Sequence, residues 1–210
     1  MSKLLYLQSS PRLERSYSIA VADAFVEEYR RVNPQDEIAV ENVFAMNLPT
    51  FDSIEVNAKY TIMHGLKHSA DEERAWKRVE EVITEFKSAD KYVFAVPMWN
   101  FGIPYRLKQF FDIIIQPGYT FSYSPETGYK GLLEGKKLFI VYARGGKYPE
   151  GSEREAFDLQ KKYLELVFKF IGITDSYSLI LEPTLQEGAE IAERMKEQAI
   201  GKAKAIAKTF

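Results

Sequence analysis

The amino-acid sequence predicts an α/β domain: an open parallel sheet with helices on both faces. Three observations carry that prediction. Short apolar runs rich in β-branched and aromatic residues alternate with longer amphipathic segments along the whole chain. Two of the runs, Tyr92–Val96 and Leu138–Tyr142, are apolar at every position, as strands buried on both faces are. No composition break, linker or repeat divides the 210 residues, so one domain spanning 1–210 is expected.

Taken in order, the first strand is Lys3–Leu7, followed by a helix from about Ser18 to Arg31 with Ile19, Ala22, Val26 and Tyr29 on one face. A strand at Glu37–Val43 precedes a helix over about Asp71–Lys87, where Trp76, Val79, Val82, Ile83 and Phe86 recur at helical spacing. After the strand Tyr92–Val96, Pro104 suits the first turn of a helix carrying Leu107, Phe110, Phe111 and Ile114. The strand Leu138–Tyr142 leads to a helix over about Ser152–Ile171. The strand Tyr177–Leu181 and a last helix over about Glu187–Ala207 complete the pattern. Five strands joined through helices require right-handed crossovers and hence a parallel sheet. Two long excursions, Phe44–Ala70 and Gly118–Gly135, are expected to cover a site or contact a partner.

Composition narrows the function. The chain has 46% hydrophobic and 28% charged residues, which is globular composition. With 28 Lys+Arg against 30 Asp+Glu, it lacks the basic surplus of a nucleic-acid binder. The absence of cysteine excludes disulfides, thiol catalysis and thiolate metal sites. No apolar run approaches the ~20 residues that span a bilayer, and the first residues do not read as a signal peptide. No membrane partner and a cytoplasmic location are the expectations.

In an open α/β sheet, ligands bind beyond the carboxyl ends of the strands, where strand order reverses. The first such exit, Gln8–Ser18, offers Ser9, Ser10, Ser16 and Ser18, Arg12 and Arg15, and the free N–H groups of a helix start. These groups suit a phosphate; the competing reading is that Ser16 or Ser18 simply caps the helix. Neither a G-x-G-x-x-G fingerprint nor a Walker loop is present, which favours a monophosphate. At the third exit, Met98, Trp99, Asn100 and Phe101 stand in a stiff loop between Pro97 and Pro104, where a flat ring could lie; the alternative is a core plug. At the fourth, Gly145 and Gly146 after Ala143 and Arg144 let backbone N–H groups approach a ligand closely. His64 and His68 lack a carboxylate to complete a metal site, and no G-x-S-x-G elbow exists for a serine hydrolase.

Together these residues resemble the FMN-dependent NADH azoreductases, flavodoxin-like flavoproteins related to the NAD(P)H:quinone reductases. The resemblance covers essentially the whole chain. It rests on the Ser-Ser loop followed by Ser16-x-Ser18, on Met98-Trp99-Asn100-Phe101 before Ile103-Pro104, and on Arg144-Gly145-Gly146. Supporting stretches are Leu107-Lys108 with Asp112, Gly118–Tyr123 ahead of Gly131, and Phe170–Asp175. It implies a flavodoxin-like three-layer sandwich. It further implies a homodimer that uses NADH or NADPH to reduce quinones and azo compounds through tightly bound, non-covalent FMN, by a ping-pong sequence. Carried over by position, Ser10, Ser16, Tyr17 and Ser18 hold the phosphate, and Met98 to Phe101 run along the flavin ring. Ala143 to Gly146 face the ring's pyrimidine end, and no side chain need act as acid, base or nucleophile. Tyr119 and Phe121 would line a substrate pocket between two subunits. The sequence departs from the family's usual pattern at Trp99, normally tyrosine, and Ala143, normally serine. A flavodoxin-type electron carrier and a hydrolase of phosphopantetheine esters are the competing functions; near-neutral charge and the long excursions count against the first, and no nucleophile or metal set supports the second.

Overall fold

A computed structural model describes all 210 residues. The chain runs β1 (Lys3–Gln8), α1 (Tyr17–Val32), β2 (Glu37–Asn42), α2 (Ser53–Met63), α3 (Ala70–Ser88), β3 (Lys91–Pro97) and α4 (Tyr105–Ile114). It continues through β4 (Phe121–Ser124), β5 (Gly128–Gly131), β6 (Lys137–Ala143), α5 (Leu159–Phe170), β7 (Asp175–Leu181) and α6 (Ala189–Ala207). Five strands form one sheet in the order β2-β1-β3-β6-β7, all pairs parallel. Residues alternate between its faces. Leu138, Ile140 and Tyr142 join a core of 27 buried residues under α3, α4 and α5, and Phe139 and Val141 join one of 18 against α1 and α6. This is the expected three-layer sandwich. Because the chain leaves β1 toward β2 and returns on its other side as β3, strand order reverses between β1 and β3. That reversal opens a crevice at their carboxyl ends.

The two excursions carry structure of their own. Phe44–Ala70 contains α2, opened by a reciprocal cap in which Asp52 accepts from Ile54 N–H and Glu55 accepts from Asp52 N–H. Only Glu55 and Ala58 of α2 are buried, while Ile54, Tyr60, Ile62 and Met63 are exposed, so no apolar stripe announces the helix. Gly118–Gly135 contains the antiparallel hairpin β4–β5. Its base lies so close to the end of α5 that a Cβ on Gly131 would stand 2.2 Å from the Gly172 nitrogen. The helix expected from Ser152 begins only at Leu159, after a 3-10 turn at Glu153–Phe157. Asp158 breaks the pattern: it caps α5 through Lys161 N–H and turns its other oxygen to Arg144.

Candidate functional site

The β1 exit is built from polar groups that the chain buries and leaves free. Ser9 is committed to the sheet, its N–H and hydroxyl both donating to the Ala95 carbonyl. Ser10, Ser16 and Ser18 are also buried. Ser16 occupies the position before α1 with extended backbone, yet its side chain accepts no N–H from the first turn. Its Oγ lies instead 3.1 Å from that of Ser18. The N–H groups of Tyr17, Ser18 and Ile19 donate to nothing in the chain. The hydroxyls are therefore not spent on capping. Buried hydroxyls beside unpaired N–H groups at the positive end of a helix form a donor set that fits a phosphate dianion. Arg12, Arg15, Tyr17 and Lys196 border an open cleft of about 210 Å³ beside Ser16.

At the β3 exit, Met98 N–H donates to the Ala143 carbonyl at 2.8 Å and extends the sheet by one bond. Trp99 and Gly102 then exchange two hydrogen bonds of 3.1 and 2.9 Å across a tight turn. Asn100 and Phe101 inside that turn have φ of 46° and 69°. Asparagine tolerates the left-handed region, but a bulky phenylalanine there costs about 1–2 kcal/mol. The turn is held by Leu159 N–H, which donates to the Phe101 carbonyl, and by the Phe157 ring 5.2 Å from that of Phe101. Trp99 and Phe101 are 36% and 46% exposed, so neither is a core plug. The Asn100 side chain and the N–H groups of Asn100 and Phe101 have no partner in the chain.

The β6 exit presents Gly145, Gly146 and Lys147 with their N–H groups equally unpartnered. Their backbone is nevertheless pinned. The Arg144 carbonyl accepts from Thr184 N–H and Oγ, and the Gly145 carbonyl accepts from Leu185 and Gln186 N–H. The Ala143 methyl faces the α1/α6 core. Arg144 turns its side chain inward: 1% exposed, it bonds Gln160, Asp158 and Glu182. Its side chain is therefore structural, with its guanidinium occupied by Gln160, Asp158 and Glu182. The phosphate-fitting donors at β1, the strained aromatic turn at β3 and the free glycine amides at β6 line one end of the sheet, as a flavin mononucleotide requires.

Beside the aromatic turn lies a cavity of about 850 Å³ lined by Thr50, Phe51, Trp99, Asn100, Tyr105 and residues of α2 and α4. Among them Lys59, from α2, has its pKa lowered by burial, with Asp112 opposing the shift. Tyr119 and Phe121 do not line this cavity. The Tyr119 hydroxyl donates to Glu80 and accepts from Trp76, and Phe121 packs on Tyr129 and Phe170. His68 bonds the Ala58 carbonyl and His64 stacks on Tyr60. Phe51 and Lys59 sit in the excursion where no periodic signal marked α2. Gln160 reads as one more polar position on an amphipathic helix; only the requirement that a buried arginine find partners could have singled it out.

The family model for the flavodoxin-like fold matches residues 2–206. A protein of Nitratidesulfovibrio vulgaris named FMN-dependent NADH:quinone oxidoreductase is 50% identical over the full length of both chains. One of the same name from Desulfotalea psychrophila is 43% identical, covering 98% of each. Among solved structures, an azoreductase of Bacillus anthracis superposes with a TM-score of 0.91 at 28% identity over 100% of both chains. An FMN-dependent NADH-azoreductase of the same species, in complex with FMN, gives 0.86 at 29% identity over 99% and 100%.

Proposed function

The chain belongs to the family with the flavodoxin-like fold, and from that premise we propose that it is an FMN-dependent NADH:quinone oxidoreductase that also reduces azo compounds. The observation that carries this reading is the set of unspent donors at the sheet's carboxyl end, above all the free N–H groups of Tyr17, Ser18 and Ile19 beside the uncapping Ser16 hydroxyl. FMN held by these residues would supply the redox chemistry, a two-electron transfer from nicotinamide to acceptor.

The chain's own residues bind, orient and stabilise. Ser10, Ser16, Ser18 and the α1 N–H groups hold the phosphate. Met98, Trp99, Asn100 and Phe101 lie along the ring, with the Asn100 amide free to bond its polar edge. Gly145 and Gly146 aim fixed N–H donors where negative charge develops, the arrangement that lowers the energy of a reduced ring without reorganising. The cavity beside Trp99 would receive donor and acceptor in turn, and a shared place gives ping-pong kinetics. No helix is long and apolar enough to cross a membrane.

A homodimer completes the site, with Tyr119 and Phe121 of one subunit reaching the other's pocket. Support comes from the exposed apolar side chains on α2 and from Tyr123 and Tyr129 on the hairpin, all open to a second copy. FMN-loaded protein should oxidise NADH with menadione or methyl red as acceptor. An electron carrier would take no electrons from NADH without a separate reductase, so an inert mixture contradicts the enzyme reading.

A further inference from the structure

One buried amide joins the two loops assigned to the flavin ring. Gln160, in the first turn of α5, is fully buried. Its Oε1 accepts from Arg144 Nε at 3.0 Å, and its Nε2 donates to the Val96 carbonyl at 3.0 Å. Val96 lies two residues before Met98, at the end of β3, and Arg144 immediately precedes Gly145 at the end of β6. The amide thus uses one donor and its acceptor to brace the start of the aromatic turn against the start of the glycine pair.

Arg144 carries the brace outward. Its Nη2 donates to Asp158 at 2.8 Å, and Asp158 caps α5 through Lys161 N–H at 3.0 Å. Its Nη1 reaches Glu182 at 3.4 Å, and Glu182 also accepts from Tyr148 N–H. The exits of β3, β6 and β7 and the start of α5 are therefore tied to one guanidinium and one amide. Leu159, beside Gln160, donates its N–H to the carbonyl of the strained Phe101, so the same helix start holds the far side of the aromatic turn. A buried polar network cross-linked in this way is stiff, because releasing any member strands another in a low-dielectric interior.

Rigidity matters here for a specific reason. A backbone donor stabilises charge that forms during reduction only if it is already aimed there, and a few tenths of an ångström decide how well. Gly145 and Gly146 have no side chains to steady them and take their position from Arg144 and the β7 exit. Resting on the FMN reading above, we infer that Gln160 is a positioning residue for the flavin: it touches neither cofactor nor substrate, but fixes the spacing of the 97–102 and 144–147 loops and through it the reduction potential of bound FMN.

The test compares wild type with Gln160→Met, which keeps length and removes both bonds, and with Gln160→Glu, which keeps the acceptor for Arg144 and removes the amide donor to Val96. Thermal unfolding of apoprotein, FMN affinity and the two-electron potential of bound FMN are measured for each. The expected result is that Gln160→Met binds reduced FMN at least about threefold more weakly, relative to oxidised FMN, than wild type does. That is a fall in potential of about 15 mV, since tenfold is about 30 mV for two electrons. Gln160→Glu should fall in the same direction and folds with its Arg144 partner intact, so it decides the matter should Gln160→Met prove too unstable. An unchanged potential in a folded variant, even with a lowered Tm, overturns the inference and makes Gln160 a core residue only. Wild-type protein that takes up no FMN would instead overturn the function proposed above.

Discussion

At the β1 exit, Ser16, Ser18 and the first N–H groups of α1 are buried yet bonded to little or nothing else in the chain. At the β3 and β6 exits, Gln160, Arg144 and Asp158 are buried and bonded to one another. On the reading proposed above, the two ends of the FMN site share unpartnered N–H donors but differ in what stands behind them. A phosphate dianion brings its own strong acceptors, so the chain saves donors for it and the ligand completes the structure. A flavin ring brings weaker, spread-out polarity that changes on reduction, so its donors must be aimed in advance by groups behind them. On that reading the phosphate end is ordered by its ligand, whereas the backbone of the ring end is held from behind by the Arg144–Gln160 network.

The largest effect should come from breaking the braced end. Arg144→Met leaves Asp158 and Glu182 facing each other without a cation in a buried setting, a loss of about 3–5 kcal/mol in apoprotein stability by chemical denaturation. A loss below about 1 kcal/mol would mean that the network does not carry the rigidity ascribed to it. Next is Gly146→Val. An added Cβ there would lie 3.3 Å from the Gln186 side-chain oxygen and 3.7 Å from the Tyr148 hydroxyl, both side-chain ends that can give way, so the fold tolerates it. If the glycine amides face the flavin as proposed, the added bulk beside them should weaken FMN binding by about 1–3 kcal/mol in fluorescence titration. Full flavin loading would remove the glycine pair from the site.

A smaller effect isolates the strained turn. Phe101→Ala and Phe101→Gly lose the same ring, but only glycine is at ease at a φ of 69°. The glycine variant should be the more stable of the two by about 1 kcal/mol in thermal unfolding. The reverse order would show that the turn stores no strain.

The smallest concerns the caps of α2 and α3. Asp52, held by Ile54 N–H, and Glu72, held by Ser69 N–H, cap α2 and α3, and these donors lower both carboxyl pKa values from 3.8 and 4.5. Their contribution is complete above those values and is lost as pH falls through the lower folded-state values. Amide exchange in α2 and α3, corrected for its intrinsic pH dependence, should therefore lose protection between about pH 5 and about pH 3 before the central strands do. Simultaneous loss would place the weakness elsewhere.

The fold was legible wherever burial imposed a period. The strands β1, β3 and β6 and the amphipathic helices α1, α3, α4 and α6 follow from it, because each offers apolar residues to one or both of the two cores. The edge strands β2 and β7 bury almost nothing and were read from their β-branched and aromatic residues. Where a helix buries little, the signal fails: α2 sinks only Glu55 and Ala58, and its cap at Asp52 was the cue that remained. The start of α5 was misplaced because Asp158 is fixed by Arg144 as well as by the helix it caps, a contact between residues 14 apart that local pattern does not contain. The serines, the aromatic turn and the glycine pair could be singled out as candidates because their residue types suit a phosphate, a ring and a close backbone approach. The brace behind them was not, since Gln160 earns its role only from where β3 and β6 end.

One measurement bears most directly on the contrast between the two ends: the affinities of apoprotein for FMN and for riboflavin, which lacks the phosphate, in wild type and in Ser16→Ala/Ser18→Ala. Each hydrogen bond to a charged group contributes about 1.5–3 kcal/mol. Wild type should therefore prefer FMN by two or more orders of magnitude. The double variant should lose most of that preference while its riboflavin affinity stays near the wild-type value. A preference for FMN that survives the double substitution, or a riboflavin affinity that falls with it, would contradict a phosphate end completed by its ligand and a ring end set without it.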